Sequence, residues 1–149
     1  MDCHAGSVDC YVNVAGIILP NKSLDSDDID AAVKQLNIPS YIGWHCIDTL
    51  PKQPYRVECG ILNLEKYLDG NGTHWVCWYK DNDKKIYFDS YGVDPPLELV
   101  KYLGPVIYCN TDVIQPLDTV VCGHLCLYVL KKLSDGLDYL DILNSLTAP

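Results

Sequence analysis

Four residues, in the order His74, Asp89, Gln115 and Cys122, are of the types that acyl-transfer chemistry on a thiol requires. Such chemistry needs a thiolate, an imidazole that holds its proton and returns it to the leaving group, a third group that fixes the imidazole, and donors for the oxyanion. Cys122 is the candidate nucleophile, His74 the general base and acid, and Asp89 the orienting carboxylate. The Gln115 side chain and the Cys122 backbone N–H are the candidate oxyanion hole. Gln115 precedes Cys122 by a short turn, so its amide can fold back over the same pocket. Gly123 directly after the cysteine would leave room for a substrate backbone.

These residues need elements to position them. Asp118 and Thr119 are capping types, and Leu125, Val129 and Leu133 recur at helical spacing, which predicts a helix with Cys122 at its first position. The unsatisfied N–H groups and positive dipole end there favour thiolate, lowering a thiol from its usual value of roughly 8.5. His74-Trp75-Val76-Cys77-Trp78-Tyr79 reads as a strand, turned back through residues 80–84 into Lys85-Ile86-Tyr87-Phe88-Asp89. That hairpin brings His74 and Asp89 to one open end, within reach of each other. Two other readings stand beside this one. Cys122 could be an inert core thiol. Cys122, Cys126 and His124 or His74 could be metal ligands, although Cys-x3-Cys lacks a second paired half at zinc spacing.

The rest of the chain reads as scaffold. Residues 1–22 have no clear period, apart from an alternation at Tyr11–Val14, and are expected to be an extension of uncertain order ahead of a single domain over 23–149. Ser26 is expected to cap a helix with Asp27, Asp28 and Asp30 in its opening and Ile29, Ala32, Val33 and Leu36 on its apolar stripe. Residues 40–58 look like a loop whose Tyr41, Trp44, His45 and Tyr55 suit contact with extended peptide as well as packing. Cys59–Leu64 predicts a buried strand, and Asp69-Gly70-Asn71-Gly72 a turn. Asp94 is expected to cap a helix with Pro95 and Pro96 in its first turn and Leu97, Val100 and Leu103 on its apolar face. Val106–Cys109 predicts a further strand, and Leu137 to Leu146 a last helix after a break at Ser134-Asp135-Gly136. Strands in the middle with helices before, between and after them predict an α+β domain.

Composition narrows the function classes. A chain of 149 residues with 48% apolar residues supports one core. Its eight cysteines are spread singly and mostly lie in apolar runs, the habit of reduced thiols, and so point to an intracellular rather than a secreted protein. Val14–Leu19, broken by Gly16, closed by Pro20 and lacking a positive flank, is neither a signal peptide nor a membrane span. A net charge of −9 and a pI near 4.6 disfavour non-specific binding to nucleic acid or anionic membranes. Lys80, Lys84 and Lys85 form a small basic cluster at a hairpin tip, read as solvated.

The ordered set His74-Trp75, Asp89-Ser90-Tyr91-Gly92, Gln115, six intervening residues and Cys122-Gly123 resembles the adenovirus-type maturation proteases, the adenain-like cysteine endopeptidases, with the SUMO-deconjugating proteases as wider relatives. The resemblance covers roughly residues 23–134 and reverses the preference for an inert Cys122. It implies an α+β fold with a central mixed or antiparallel sheet flanked by helices. This is a permuted papain-like arrangement, with the nucleophile at the N-terminus of a central helix and the histidine and acid on the sheet. Carried over by position, Cys122 matches the nucleophile, His74 the base, Asp89 the third member and Gln115 the oxyanion donor. Trp75 matches the aromatic walling a narrow channel for glycine-type residues before the scissile bond.

The implied activity is a thiol endopeptidase processing capsid or core precursors after small residues, of the kind encoded by small animal DNA viruses and by Polinton or Maverick elements. A ubiquitin- or SUMO-type isopeptidase and an inactive module holding glycine-rich tails are the alternatives; the short chain leaves little room for an added modifier-binding domain. Asp89 stands where the adenovirus enzyme has glutamate, which also resembles the SUMO-protease branch. That enzyme is basic and stimulated by DNA, so the acidic charge here disfavours DNA as activator; a peptide activator disulfide-linked through Cys109 is the other candidate. No metal or required cofactor is expected. The expected partners are protein substrates, the expected state a monomer, and the expected location the host nucleus or cytoplasm and the virion.

Overall fold

The computed structural model describes residues 11–65, 74–115 and 119–147. The expected turn at 69–72 and the capping residue Asp118 lie outside them. Among the described residues, seven strands and four helices follow one another. Strands β1 (Tyr11–Val14) and β2 (Ile17–Pro20) pair as an antiparallel hairpin, with Ala15 and Gly16 at positive φ in the turn. Within the segment that carried no clear period, residues 11–20 form this hairpin, and Val12, Val14 and Leu19 are buried in the main core.

Helix α1 (Ser26–Leu36) begins one residue after its cap. Asp25, not Ser26, is the N-cap: its carboxylate accepts from the Asp28 N–H at 2.8 Å and Asp28 returns the bond to the Asp25 N–H at 3.0 Å. The reciprocal pair satisfies two N–H groups that a hydroxyl at Ser26, already inside the helix, could not reach.

The main sheet has the order β3 (Tyr41–Cys46), β4 (Val57–Asn63), β5 (Trp75–Asp81), β6 (Lys84–Phe88), β7 (Tyr108–Cys109). The two outer pairings are parallel and the two inner ones antiparallel, so the sheet is mixed. β3 corrects the loop expected over 40–58. Its pairing with β4 slips between Tyr41 and Trp44, and Gly43 has φ +107°, so no period-2 pattern survives in the sequence. The expected strand over 106–109 shortens to two residues because Val106 takes φ +64°, a conformation costly for a β-branched side chain.

Both faces of the sheet are covered, as the burial of four consecutive β5 residues, Trp75 to Trp78, requires. Cys59, Ile61, Trp75, Cys77, Ile86 and Phe88 meet α1, the N-terminal hairpin, the central helix α3 (Cys122–Ser134) and α4 (Tyr139–Thr147). Leu62, Val76, Trp78 and Tyr87 meet α2 (Leu97–Leu103) on the other face. Asp94 does not cap α2: the helix starts three residues later, because a residue before proline avoids helical backbone, and Pro96 occupies the cap without a side-chain bond. Gly60 on β4 lets the Trp78 ring lie over the strand; a Cβ there would stand 2.4 Å from the ring. The fold is therefore α+β, a mixed central sheet flanked by helices, with the cysteine-bearing helix laid against its middle strands.

Candidate functional site

The antiparallel register of β5 and β6, fixed by Cys77 opposite Phe88 and closed by a turn at Asn82-Asp83, leaves His74 just before one strand and Asp89 just after the other. His74 Nε2 lies 2.7 Å from Asp89 Oδ1. The same oxygen accepts from the Tyr91 N–H at 2.9 Å, and the Tyr91 ring stacks on the imidazole at 4.8 Å. Asp89 is itself anchored by main chain: its N–H donates to Asn110 Oδ1 at 3.0 Å, and its carbonyl accepts from Asn110 Nδ2 at 2.6 Å. Gly92, at φ +70°, closes this turn with its N–H on the Asp89 carbonyl at 2.8 Å. A Cβ at Gly92 would stand 2.6 Å from the Thr111 carbonyl oxygen, so a larger residue would push the Asp89 turn off the Thr111 segment.

Cys122 opens α3, as expected, but Val121 is its N-cap and makes no side-chain capping bond. The first-turn N–H groups are thus left to the site. The Cys122 sulfur lies close enough to His74 for each to shift the other's ionisation, and the Trp75 and Gly123 N–H groups also act on the sulfur. Burial opposes charge on both partners. It pulls the imidazole down, yet the bonds to Asp89 and Cys122 and their negative charges raise His74 from 6.5 to about 9. Burial likewise pushes the Cys122 thiol up, but the His74 bond, the Trp75 N–H, the His74 charge and the Gly123 N–H hold it below its ordinary value. Burial drives the thiols of Cys46, Cys59, Cys109 and Cys126 in the opposite direction, Cys59 to about 12. The two shifts run in opposite directions and both favour a thiolate–imidazolium pair of Cys122 and His74, the state in which a thiol attacks carbonyl carbon.

Gln115 is 1% exposed. Its Nε2 donates to the Thr119 carbonyl at 2.9 Å and its Oε1 accepts from Ser90 Oγ at 2.6 Å. Trp75 is buried, donates its indole N–H to the Leu24 carbonyl at 2.8 Å, and meets Trp44 edge-on at 6.2 Å. Gly123, the other residue expected to face substrate, packs closely within the chain. A Cβ there would stand 3.3 Å from Leu24 Cδ1 and Trp75 Cδ1, so the missing side chain lets these two pack against the helix start.

The metal reading finds no support: Cys126 Sγ donates to the Trp75 carbonyl, His124 Nε2 is bonded to the Pro20 carbonyl, and no group of three or more metal-type ligands occurs among the described residues. Lys80 and Lys85, of the basic cluster, hold the carbonyls of Tyr55, Arg56 and Pro105. Three polar residues of the site had no sequence-level role: Ser90, Asn110 and Tyr91. Their adjacency to Asp89 was the one available signal for Ser90 and Tyr91, whereas Asn110 reaches Asp89 across 21 residues.

The fold and this geometry define a class, an α+β chain in which a helix-borne cysteine meets a histidine–aspartate pair that precedes it in sequence. No family model matches the chain, and no curated protein does. Among solved structures, the crystal structure of the ASFV pS273R protease superposes with a TM-score of 0.60 at 15% identity, over 83% of this chain and 61% of that one. Its selenomethionine form aligns over 62% of this chain and 40% of that one, at 21% identity and a TM-score of 0.47. The chain thus has the fold of a solved protease and spans about three fifths of that protein's length.

Proposed function

We propose that the protein is a viral or virus-like cysteine endopeptidase of the adenain type that processes capsid or core precursor proteins after small, glycine-type residues. The observation that carries this reading is the His74 imidazole held between Asp89 at 2.7 Å and the Cys122 sulfur at the start of α3. In the proposed reaction the Cys122 thiolate attacks the substrate carbonyl, an S–C bond forms, and the carbonyl electrons move to oxygen. The Cys122 N–H and the Gln115 amide hold that oxyanion. Collapse breaks the C–N bond as the amine takes the His74 proton. Water then adds to the thioester, gives its proton to His74, and releases the acid with the thiolate restored. Trp75 beside Gly123, with half-buried Trp44 at its edge, supports a narrow approach that admits glycine and excludes bulk.

The −9 charge favours a peptide over DNA wherever an activator is needed. The protein acts as a monomer on protein substrates, within the infected cell and the virion. The test is intact-mass labelling with a Gly-Gly-ended electrophilic peptide beside the same electrophile on ubiquitin or SUMO, with Cys122→Ala as control. Labelling of Cys122 by the peptide supports the precursor-processing reading; labelling only by a full modifier replaces it with an isopeptidase. Silence from all probes, with or without candidate capsid peptides, leaves an inactive module.

A further inference from the structure

We infer that Ser90 is a positioning residue, which fixes the Gln115 amide so that its NH2 end, not its carbonyl, is presented to the developing oxyanion; this rests on the acyl-transfer reading above. A glutamine amide has one accepting and one donating end of nearly equal size, and a buried one placed the wrong way round would repel the oxyanion it should hold. Two contacts decide the orientation. The Thr119 carbonyl can only accept, so the Gln115 atom 2.9 Å from it is Nε2. The atom facing Ser90 is then Oε1, and the Ser90 hydroxyl, 2.6 Å away, must donate to it. One Nε2 hydrogen is used on Thr119 and the other is the one an oxyanion takes.

The serine is built into the site as firmly as the amide. Ser90 is fully buried and directly follows Asp89. Its carbonyl accepts from the Ile114 N–H at 2.8 Å and the Gln115 N–H at 3.1 Å, so both the backbone and the side chain of Gln115 are tied to it. Residues 89 and 90 thereby set two machineries at once: the first orients the imidazole, the second the oxyanion donor. Without the hydroxyl, Oε1 loses its buried donor and the amide is held by the Thr119 carbonyl alone, which loosens it about the Cγ–Cδ bond while the main-chain ties persist.

The test compares wild type, Ser90→Ala, Gln115→Ala and the double variant in two reactions at Cys122. Acylation by a glycine p-nitrophenyl ester, read as the nitrophenolate burst, passes through an oxyanion. Alkylation by iodoacetamide does not. Acylation in Ser90→Ala is expected to fall about tenfold, less than for outright loss of a donor. The double variant should be no slower than Gln115→Ala alone, with alkylation equal in all four. Additive losses, an unchanged acylation rate, or a parallel fall in alkylation would overturn the inference, the last by placing Ser90's role in supporting Asp89. A readout independent of turnover is the Gln115 side-chain 1H–15N pair, assigned by its loss in Gln115→Ala. The hydrogen bonded to Thr119 should be protected from exchange in wild type and exchange faster in Ser90→Ala; protection unchanged in the variant refutes the inference even in a protein that acylates nothing. Slow wild-type acylation with that protection lost in Ser90→Ala would instead count against the protease reading while sustaining the Ser90–Gln115 link.

Discussion

Replacing Asp89 by asparagine isolates the charge of the third residue from its geometry. Asp89 Oδ1 accepts from both His74 Nε2 and the Tyr91 N–H, and an asparagine Oδ1 can keep both bonds with its Nδ2 where the second oxygen stood. The ties to Asn110 involve only the main chain of residue 89 and are retained. What is lost is the negative charge. Raising His74 from 6.5 to about 9 corresponds to roughly 3 kcal/mol in favour of the imidazolium, against the pull of burial. Part of that belongs to Cys122, so in the variant His74 falls back toward its ordinary value by roughly one to two pH units. The thiolate–imidazolium pair exists above the depressed Cys122 value and below that of His74, so the change cuts the window from its alkaline side.

Peptide turnover at pH 8 should therefore drop about tenfold or more, with a smaller loss near pH 6, and the His74 ring resonances should titrate correspondingly lower. Stability moves with the same sign. A group raised in the folded state stabilises it fully below its unfolded value of 6.5 and loses that contribution as pH rises through about 9. The loss in Tm from Asp89→Asn should thus be larger at pH 6 than at pH 10. A His74 that still titrates near 9 in the variant, or turnover at pH 8 equal to wild type, would refute this account of the pair.

Gln115→Ala should cost on the order of a hundredfold in kcat with little change in KM, the usual effect of losing one oxyanion donor, measured by steady-state peptide cleavage. Gly60→Ala would force the Trp78 ring away from a Cβ at 2.4 Å and should lower stability by about 1–3 kcal/mol or more in denaturant unfolding. Glu58, fully buried, accepts from Trp78 Nε1, Tyr102 Oη and the Tyr55 N–H at 2.7–2.8 Å. Glu58→Ala orphans all three and should cost a few kcal/mol, while iodoacetamide alkylation of the folded protein at Cys122 stays at the wild-type rate.

The parts of this site that the sequence revealed are those written in local signals. The β5–β6 hairpin has β-branched and aromatic strands around a polar turn, and α3 has an apolar stripe behind Cys122, so His74, Asp89 and Cys122 could be placed on elements before any coordinates. What escaped depended on contacts between distant segments. β3 became a strand only through parallel pairing with β4, with a register slip and a glycine at positive φ disguising it. Glu58 lay in a stretch read as loop, and a buried carboxylate is legible only once its indole and phenol donors are known. Asp25 outcompeted Ser26 as cap because only it stood where Asp28 could answer it. The close packing at Gly123 was not legible either, because Leu24 and Trp75 come from far away in sequence. Ser90 looked like part of a turn, because its partner Gln115 is 25 residues on.

The account stands on Cys122 being a thiolate held by His74. The direct measurement is the rate of iodoacetamide alkylation at each cysteine, mapped by mass spectrometry between pH 5 and 9. Cys122 should react well below the pH at which an ordinary thiol ionises, faster than the half-buried Cys109, and should lose that reactivity in His74→Ala. A Cys122 that labels no faster than Cys109, or whose rate follows an ordinary thiol titration near 8.5 with and without His74, would contradict it.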